Sequence, residues 1–183
     1  MSEELVVRQC APTLAGIKSG SLFPCAFASR AELTAELRRM NARLVPKGLC
    51  LMPLRYDGER ALLYLFRPAG LRRDLADPLA AELLRRHGYA CGSCGRCVAR
   101  LCHRMREDAG FPHEVGLFLS YPPEDVRGFM DNRAENFKCA GLWKVYGDEA
   151  LARALFRKYK KCTEVYCRRF RAGDGLDELA VAG

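Results

Sequence analysis

Apolar and polar positions recur along this chain with two different periods, and the switches between them mark its elements. SRAE at Ser29–Glu32 has the form of a capping box that opens a helix. Leu33, Leu37, Met40 and Leu44 then repeat at the spacing of one helix face, and Pro46 and Gly48 end it. LCLMPLRY and ERALLYLFRP follow, separated by Asp57-Gly58, which predicts a β-hairpin. The second of these strands is apolar on both faces, so it belongs at the centre of a sheet or under cover. Upstream, CAPTLAGIKSG predicts a short helix that starts near Cys10, with Pro12 in its first turn and Gly20 at its end. Leu22–Phe27 predicts a strand.

Downstream, Asp77-Pro78 opens a helix that Gly88 closes, and Val98, Leu101, Cys102 and Met105 mark another. The last third predicts two strand-to-helix units. Val115–Ser120 is a strand leading through YPPED into a helix that reaches Asn132. Leu142–Tyr146 is a strand leading through Gly147-Asp148 into a long helix. The stripe of that helix is Leu151, Leu155, Tyr159, Cys162, Tyr166 and Phe170, with a break expected near Cys162-Thr163. The sum is an α+β fold with a mixed sheet of four to six strands and about six helices. The chain is expected to form one domain over residues 1–183, with a short, loosely held tail at 174–183.

Composition agrees with a globular domain: 183 residues, 49% apolar and 28% charged. Its apolar runs are too short to cross a bilayer, so no membrane association is expected. MSEELVVRQC carries acidic residues and no long apolar stretch, so a signal peptide is not expected and the cytoplasm is the expected address. The net charge of +8 is concentrated between Arg153 and Arg171, with Lys158, Lys160, Lys161, Arg168 and Arg169. Such a helix can attract an acidic partner, but no nucleic-acid motif accompanies it, so a solvated face is the simpler reading.

Ten cysteines are many for a chain expected to keep its thiols reduced. Cys50, Cys162 and Cys167 fit the role of small buried hydrophobes. Cys91, Cys94, Cys97 and Cys102 fall in one window, CGSCGRCVARLC. Thiolates at such spacing can converge on zinc or an iron–sulfur cluster, with Cys139 or His87 completing the set. The ferredoxin spacing is not matched, and there is no second separate CxxC pair for zinc. Incidental thiols and a redox dithiol are the competing readings.

A second constellation is Cys10, His113, and Asp125 or Asp148. A thiol just before a proline-initiated turn would have its thiolate stabilised by free backbone N–H groups. His113 would be the base, and an acid would fix its tautomer. This is the chain order of papain-like cysteine enzymes, and it points to acyl or amide hydrolysis or transfer on a small-molecule or peptide substrate. Tyr121, Trp143, Lys144 and Tyr146 are candidate binding residues, and Asn132, Asn136 and Lys138 could line the same pocket. The two strand-to-helix loops would share one rim only if strands 115–120 and 142–146 were parallel neighbours, which is the arrangement expected.

Three blocks are more specific than any of these patterns: CAPTLAGIKSGSLF, HEVGLFLSYPPEDVRGF and WKVYGDEALARALFRKYKKC. Through them nearly the whole chain resembles a bacterial family called domain of unknown function 3793, found mainly in anaerobes. The resemblance implies a stand-alone soluble protein and supplies no activity. The 91–97 cysteine run lies outside these blocks.

Overall fold

The computed structural model describes residues 1–90, 92–107 and 110–183. Its backbone divides into two compact units, one formed by residues 1–70 and 162–183 and the other by residues 71–161.

The first unit is built on a three-stranded antiparallel sheet. Helix α1 (Glu3–Leu14) is capped by Ser2, whose Oγ accepts from the Leu5 amide. It leads into β1 (Gly20–Ala26) and helix α2 (Arg30–Leu44), where the Ser29 hydroxyl accepts from the Glu32 amide as the capping pattern predicted. Strands β2 (Cys50–Asp57) and β3 (Arg60–Phe66) form the expected hairpin, with Gly58 left-handed in the turn. The strand order is β1-β3-β2, all antiparallel, so the strand with two apolar faces is central. One face of α1 (Val6, Val7, Cys10, Leu14) and one of α2 (Leu33, Leu37, Met40, Leu44) close over Phe23, Leu51, Leu63 and Leu65. Arg67 is buried in this unit and donates to the carbonyls of Thr13, Leu14 and Val181, each at 2.7 Å.

That last contact corrects the expected loose tail. Helix α9 (Leu176–Leu179) and Ala180 bury Leu176 and Leu179 fully in the core, so apolar burial holds residues 176–180 in place. The helix expected to begin near Cys10 is also corrected. Pro12 lies inside α1 near its end, and Cys10 sits in the second half of the helix.

The second unit is mainly helical. Helix α3 (Pro68–Leu75) enters it, and α4 (Pro78–Arg86) follows, capped by Asp77, which accepts from the Leu79 and Ala80 amides. Then come α5 (Cys94–Glu107), the single-turn α6 (Val115–Phe118), α7 (Pro123–Asp131), and strands β4 (Cys139–Ala140) and β5 (Lys144–Val145). Helix α8 (Glu149–Arg171) leaves the unit and runs through Cys162-Thr163 without the expected break.

Two expectations for this region fail. Val115–Ser120 is not a strand: its amides turn back on themselves, Leu117 N–H to Glu114 and Tyr121 N–H to Gly116. Val115, Gly116, Leu117, Phe118 and Leu119 are all buried, and a fully buried apolar run has no alternation to separate helix from strand. Leu142–Tyr146 shrinks to a two-residue strand paired antiparallel with Cys139-Ala140, so the parallel pair does not exist. The class is α+β as expected. Among the described residues it has nine α-helices and two separate antiparallel sheets, not one mixed sheet.

Candidate functional site

The second unit holds a cavity assembled around one buried carboxylate. Pro122 ends the turn after α6, and Pro123 supplies the first helical position of α7, where a missing N–H costs nothing. Asp125 falls in that first turn and is only 2% exposed. A buried carboxylate needs partners, and three donors supply them. Oδ1 accepts from the Tyr146 and Gly147 amides, and Oδ2 from the Trp143 indole N–H, each at 2.7 Å. Asp125 therefore pins the β5 segment to α7 and fixes the orientation of the indole.

Trp143 stacks on Tyr121 at 4.7 Å between ring centroids and meets Phe156 edge-on at 4.4 Å. Two glycines let these rings approach. A Cβ on Gly128 would come within 2.4 Å of Tyr146, and one on Gly141 within 2.3 Å of Phe156. Tyr146 thus supports the wall from behind α7. Its hydroxyl is buried without a hydrogen-bond partner among the described residues, and burial raises its pKa.

In front of the indole lies a cavity of roughly 170 Å³. Phe111, Tyr121, Phe129 and Trp143 provide its aromatic surface, and His113 and Lys144 its cationic or basic groups. His113 is exposed and meets the Phe129 ring edge-on at 5.0 Å. Lys144 is half-buried, donates to the Ala134 carbonyl at 2.7 Å, and lies 4.7 Å from the centre of the Phe137 ring. The Ala134 loop is unusual: Arg133, Ala134 and Asn136 all have positive φ.

Five of the predicted residues therefore meet at one cavity: His113, Tyr121, Asp125, Trp143 and Lys144. The others do not join them. Cys10 belongs to the first unit and is 0% exposed, enclosed by its core; burial holds its thiol protonated far above the ordinary range. Its place in α1 removes the helix-N-terminal stabilisation expected for a thiolate. Asp148 caps α8 instead, accepting from the Leu151 amide at 2.9 Å. No hydrogen bond joins His113 to Asp125 among the described residues, so the expected acid does not orient that imidazole. Lys138 donates to the Gly147 carbonyl and Asn132 to the Gly128 carbonyl, so both brace the backbone.

Cys91 lies outside the described residues. Cys94, Cys97 and Cys102 lie along α5, with Cys97 and Cys102 buried, and burial raises the Cys94 and Cys102 thiols. Among the described residues no three Cys, His, Asp or Glu side chains come together as a metal site would require. His87 lines a different cavity, of roughly 340 Å³, where the Arg104 guanidinium is neutralised by Glu114 at 2.7 Å. Glu114 also accepts from the Tyr89 hydroxyl at 2.8 Å. On α8, Lys158, Lys160, Lys161 and Arg168 are exposed, while Arg153 pairs with Glu149 and Arg169 with Asp174.

Sequence reasoning missed Phe111 and Phe129. Neither is a polar residue, and the only signal was proximity: Phe129 ends the block that contains His113 and Asp125, and Phe111 lies two residues before it.

A family model described as protein of unknown function (DUF3793) matches residues 6–180, and the chain belongs to that family. No curated protein and no solved structure matches it.

Proposed function

We propose that this chain is a ligand-binding protein whose second unit takes the ring of a small planar apolar molecule in the Trp143 cavity. The observation that carries this reading is the fixed Tyr121–Trp143 stack facing an open, largely apolar space. The space matches a single ring in scale: cavities of about 150 Å³ with apolar walls accept benzene. The aromatic wall is also pre-formed, because Asp125 holds the indole before any ligand arrives, and pre-organisation lowers the cost of binding. Phe111, Phe137 and Leu142 are exposed in the segments that build the cavity, in keeping with a surface that receives an apolar guest.

This reading is favoured over cysteine-dependent hydrolysis or transfer at an acyl or amide bond. That chemistry needs an ionisable, reachable thiol beside an oriented base. Cys10 is enclosed, its ionisation is opposed by burial, and of the two acids expected to orient His113, Asp125 is committed to Trp143 and two amides and Asp148 caps α8.

Trp143 is the sole tryptophan of the chain, so its fluorescence reports on the cavity directly. Titration with benzyl alcohol is expected to give a saturable change in that emission. Replacing Val115, which lines the cavity, with phenylalanine should abolish the saturation while far-UV circular dichroism stays native. A linear, unsaturable response in the parent protein refutes the proposal.

A further inference from the structure

We infer that the molecule taken by this cavity is an acid, its ring against Trp143 and its carboxylate, or a like anion, on Lys144. The inference rests on the ring-binding reading above and follows from the charge balance of the cavity. Asp125 is the one carboxylate among the lining residues, and both its oxygens are already used, two amides on Oδ1 and the indole on Oδ2. At 2% exposure and with three donors already on it, it offers a ligand cation at most one further lone pair, on Oδ2.

Lys144, by contrast, has no ion-pair partner of its own among the described residues. An ammonium has three donors, and Lys144 spends one of them on the Ala134 carbonyl. No carboxylate lies within ion-pair distance of it among the described residues, and its remaining neighbours are the rings of Phe137 and Phe129, at 4.7 and 6.0 Å. A half-buried ammonium with no carboxylate at ion-pair distance gains more from an anion than an exposed lysine would. His113, on the same cavity and without a hydrogen bond from either ring nitrogen among the described residues, adds a second donor.

Lys144 is also held in place. Its bond to Ala134 ties it to a loop with three residues at positive φ, Arg133 at 50°, Ala134 at 65° and Asn136 at 56°. Such conformations persist only where surrounding contacts over-determine them. The ammonium is therefore positioned before binding, as a recognition group must be. The rival ligand, an organic cation in an aromatic cage, meets a fixed positive charge at this cavity and no free acid, so the site disfavours it.

Three probes of equal ring size separate the cases: benzoate, benzyl alcohol and benzylammonium, titrated against Trp143 fluorescence in low salt. Benzoate is expected to bind about tenfold tighter than benzyl alcohol or better, and benzylammonium weakest. Added salt should weaken benzoate alone. In Lys144→Met the ratio of benzoate to benzyl alcohol affinity should fall to about one, and in Lys144→Arg it should stay well above one. The salt series needs no variant and decides the matter if Lys144→Met does not fold. Equal binding of benzoate and benzyl alcohol, or a preference for benzylammonium, overturns the acid while leaving the ring site standing. Saturable binding of none of the three removes the ring site and the acid together.

Discussion

Replacing Asp125 with alanine removes the acceptor shared by three donors in the second unit. The Trp143 indole N–H and the Tyr146 and Gly147 amides would then face a space where the carboxylate stood, 2% exposed in the parent. An unpaired buried donor costs about 1–3 kcal/mol. Tyr146 and Gly147 are only half-buried, so water can reach part of this set, and the lower part of the summed range, about 3–5 kcal/mol, applies. That is a large share of the stability of a typical domain, about 5–15 kcal/mol. Asparagine separates acceptor from charge. Its carbonyl can serve the two amides that Oδ1 served, but its NH₂ group then opposes the indole N–H, donor against donor. The expected loss is about 1.5–3 kcal/mol, that of one hydrogen bond to a charged group.

Trp143 again supplies the assay. Urea unfolding followed by its emission reports on the second unit, while far-UV circular dichroism follows the whole chain, so a non-two-state transition is visible as a mismatch between the two. The order of stability should be parent, Asp125→Asn, Asp125→Ala, with clear gaps. The native emission of Asp125→Asn should also differ from the parent, since its indole has lost its partner. An alanine variant within about 1 kcal/mol of the parent, below the cost of even one unpaired donor, refutes the idea that Asp125 organises this wall. An asparagine variant as unstable as alanine refutes the acceptor count.

Cys10 should resist iodoacetamide in the native protein at pH 8 and react on unfolding, as read by peptide mass mapping; rapid native labelling would show that the thiol is not enclosed as its surroundings require. Stability should fall as pH rises above about 10. Tyr89 and Tyr159 have their pKa values raised, Tyr159 to about 12, chiefly by burial, so the native state keeps protons that the unfolded chain releases. The loss begins at the unfolded value and, for Tyr159 alone, grows to about 2 kcal/mol by pH 12. Tyr159→Phe should reduce the slope, and a urea midpoint flat from pH 9 to 11 would contradict the burial argument.

What the sequence made legible was whatever depends on neighbours along the chain. The stripe of α2, its Ser29 cap, the Asp77 cap and the Asp57-Gly58 hairpin are local patterns, and each appears where expected. The central place of β3 followed from its two apolar faces, a statement about burial that needs no partner to be named. The errors arose where local pattern is silent. Val115–Leu119 reads the same as strand or helix because it is buried all round. The start of α1 was signalled by Ser2, Glu3 and Glu4, but Pro12 is the stronger local mark and drew the boundary to itself. Misplacing that boundary put Cys10 at a helix start, and the thiolate argument depended on it.

The site shows the same division more sharply. Tyr121, Asp125, Trp143 and Lys144 were recognisable as polar or aromatic residues in distinctive blocks, yet the contacts that assemble them run through residues with no side chain. Gly116 admits Tyr121 and Val126, where a Cβ would stand 3.0 and 2.8 Å away, Gly128 admits Tyr146, and Gly141 admits Phe156. A glycine that makes room for a distant ring looks, in sequence, like a glycine in a turn. The cysteines drew attention because thiol spacing is a loud signal, whereas the quiet determinants, three glycines and one carboxylate that accepts from three donors, set where the indole and its neighbouring rings lie. In this chain, then, Asp125 belongs to the architecture of the site and not to its chemistry: it fixes the indole and the Tyr146-Gly147 backbone, and the groups left for a ligand are the ring faces, Lys144, which the Ala134 carbonyl holds, and His113.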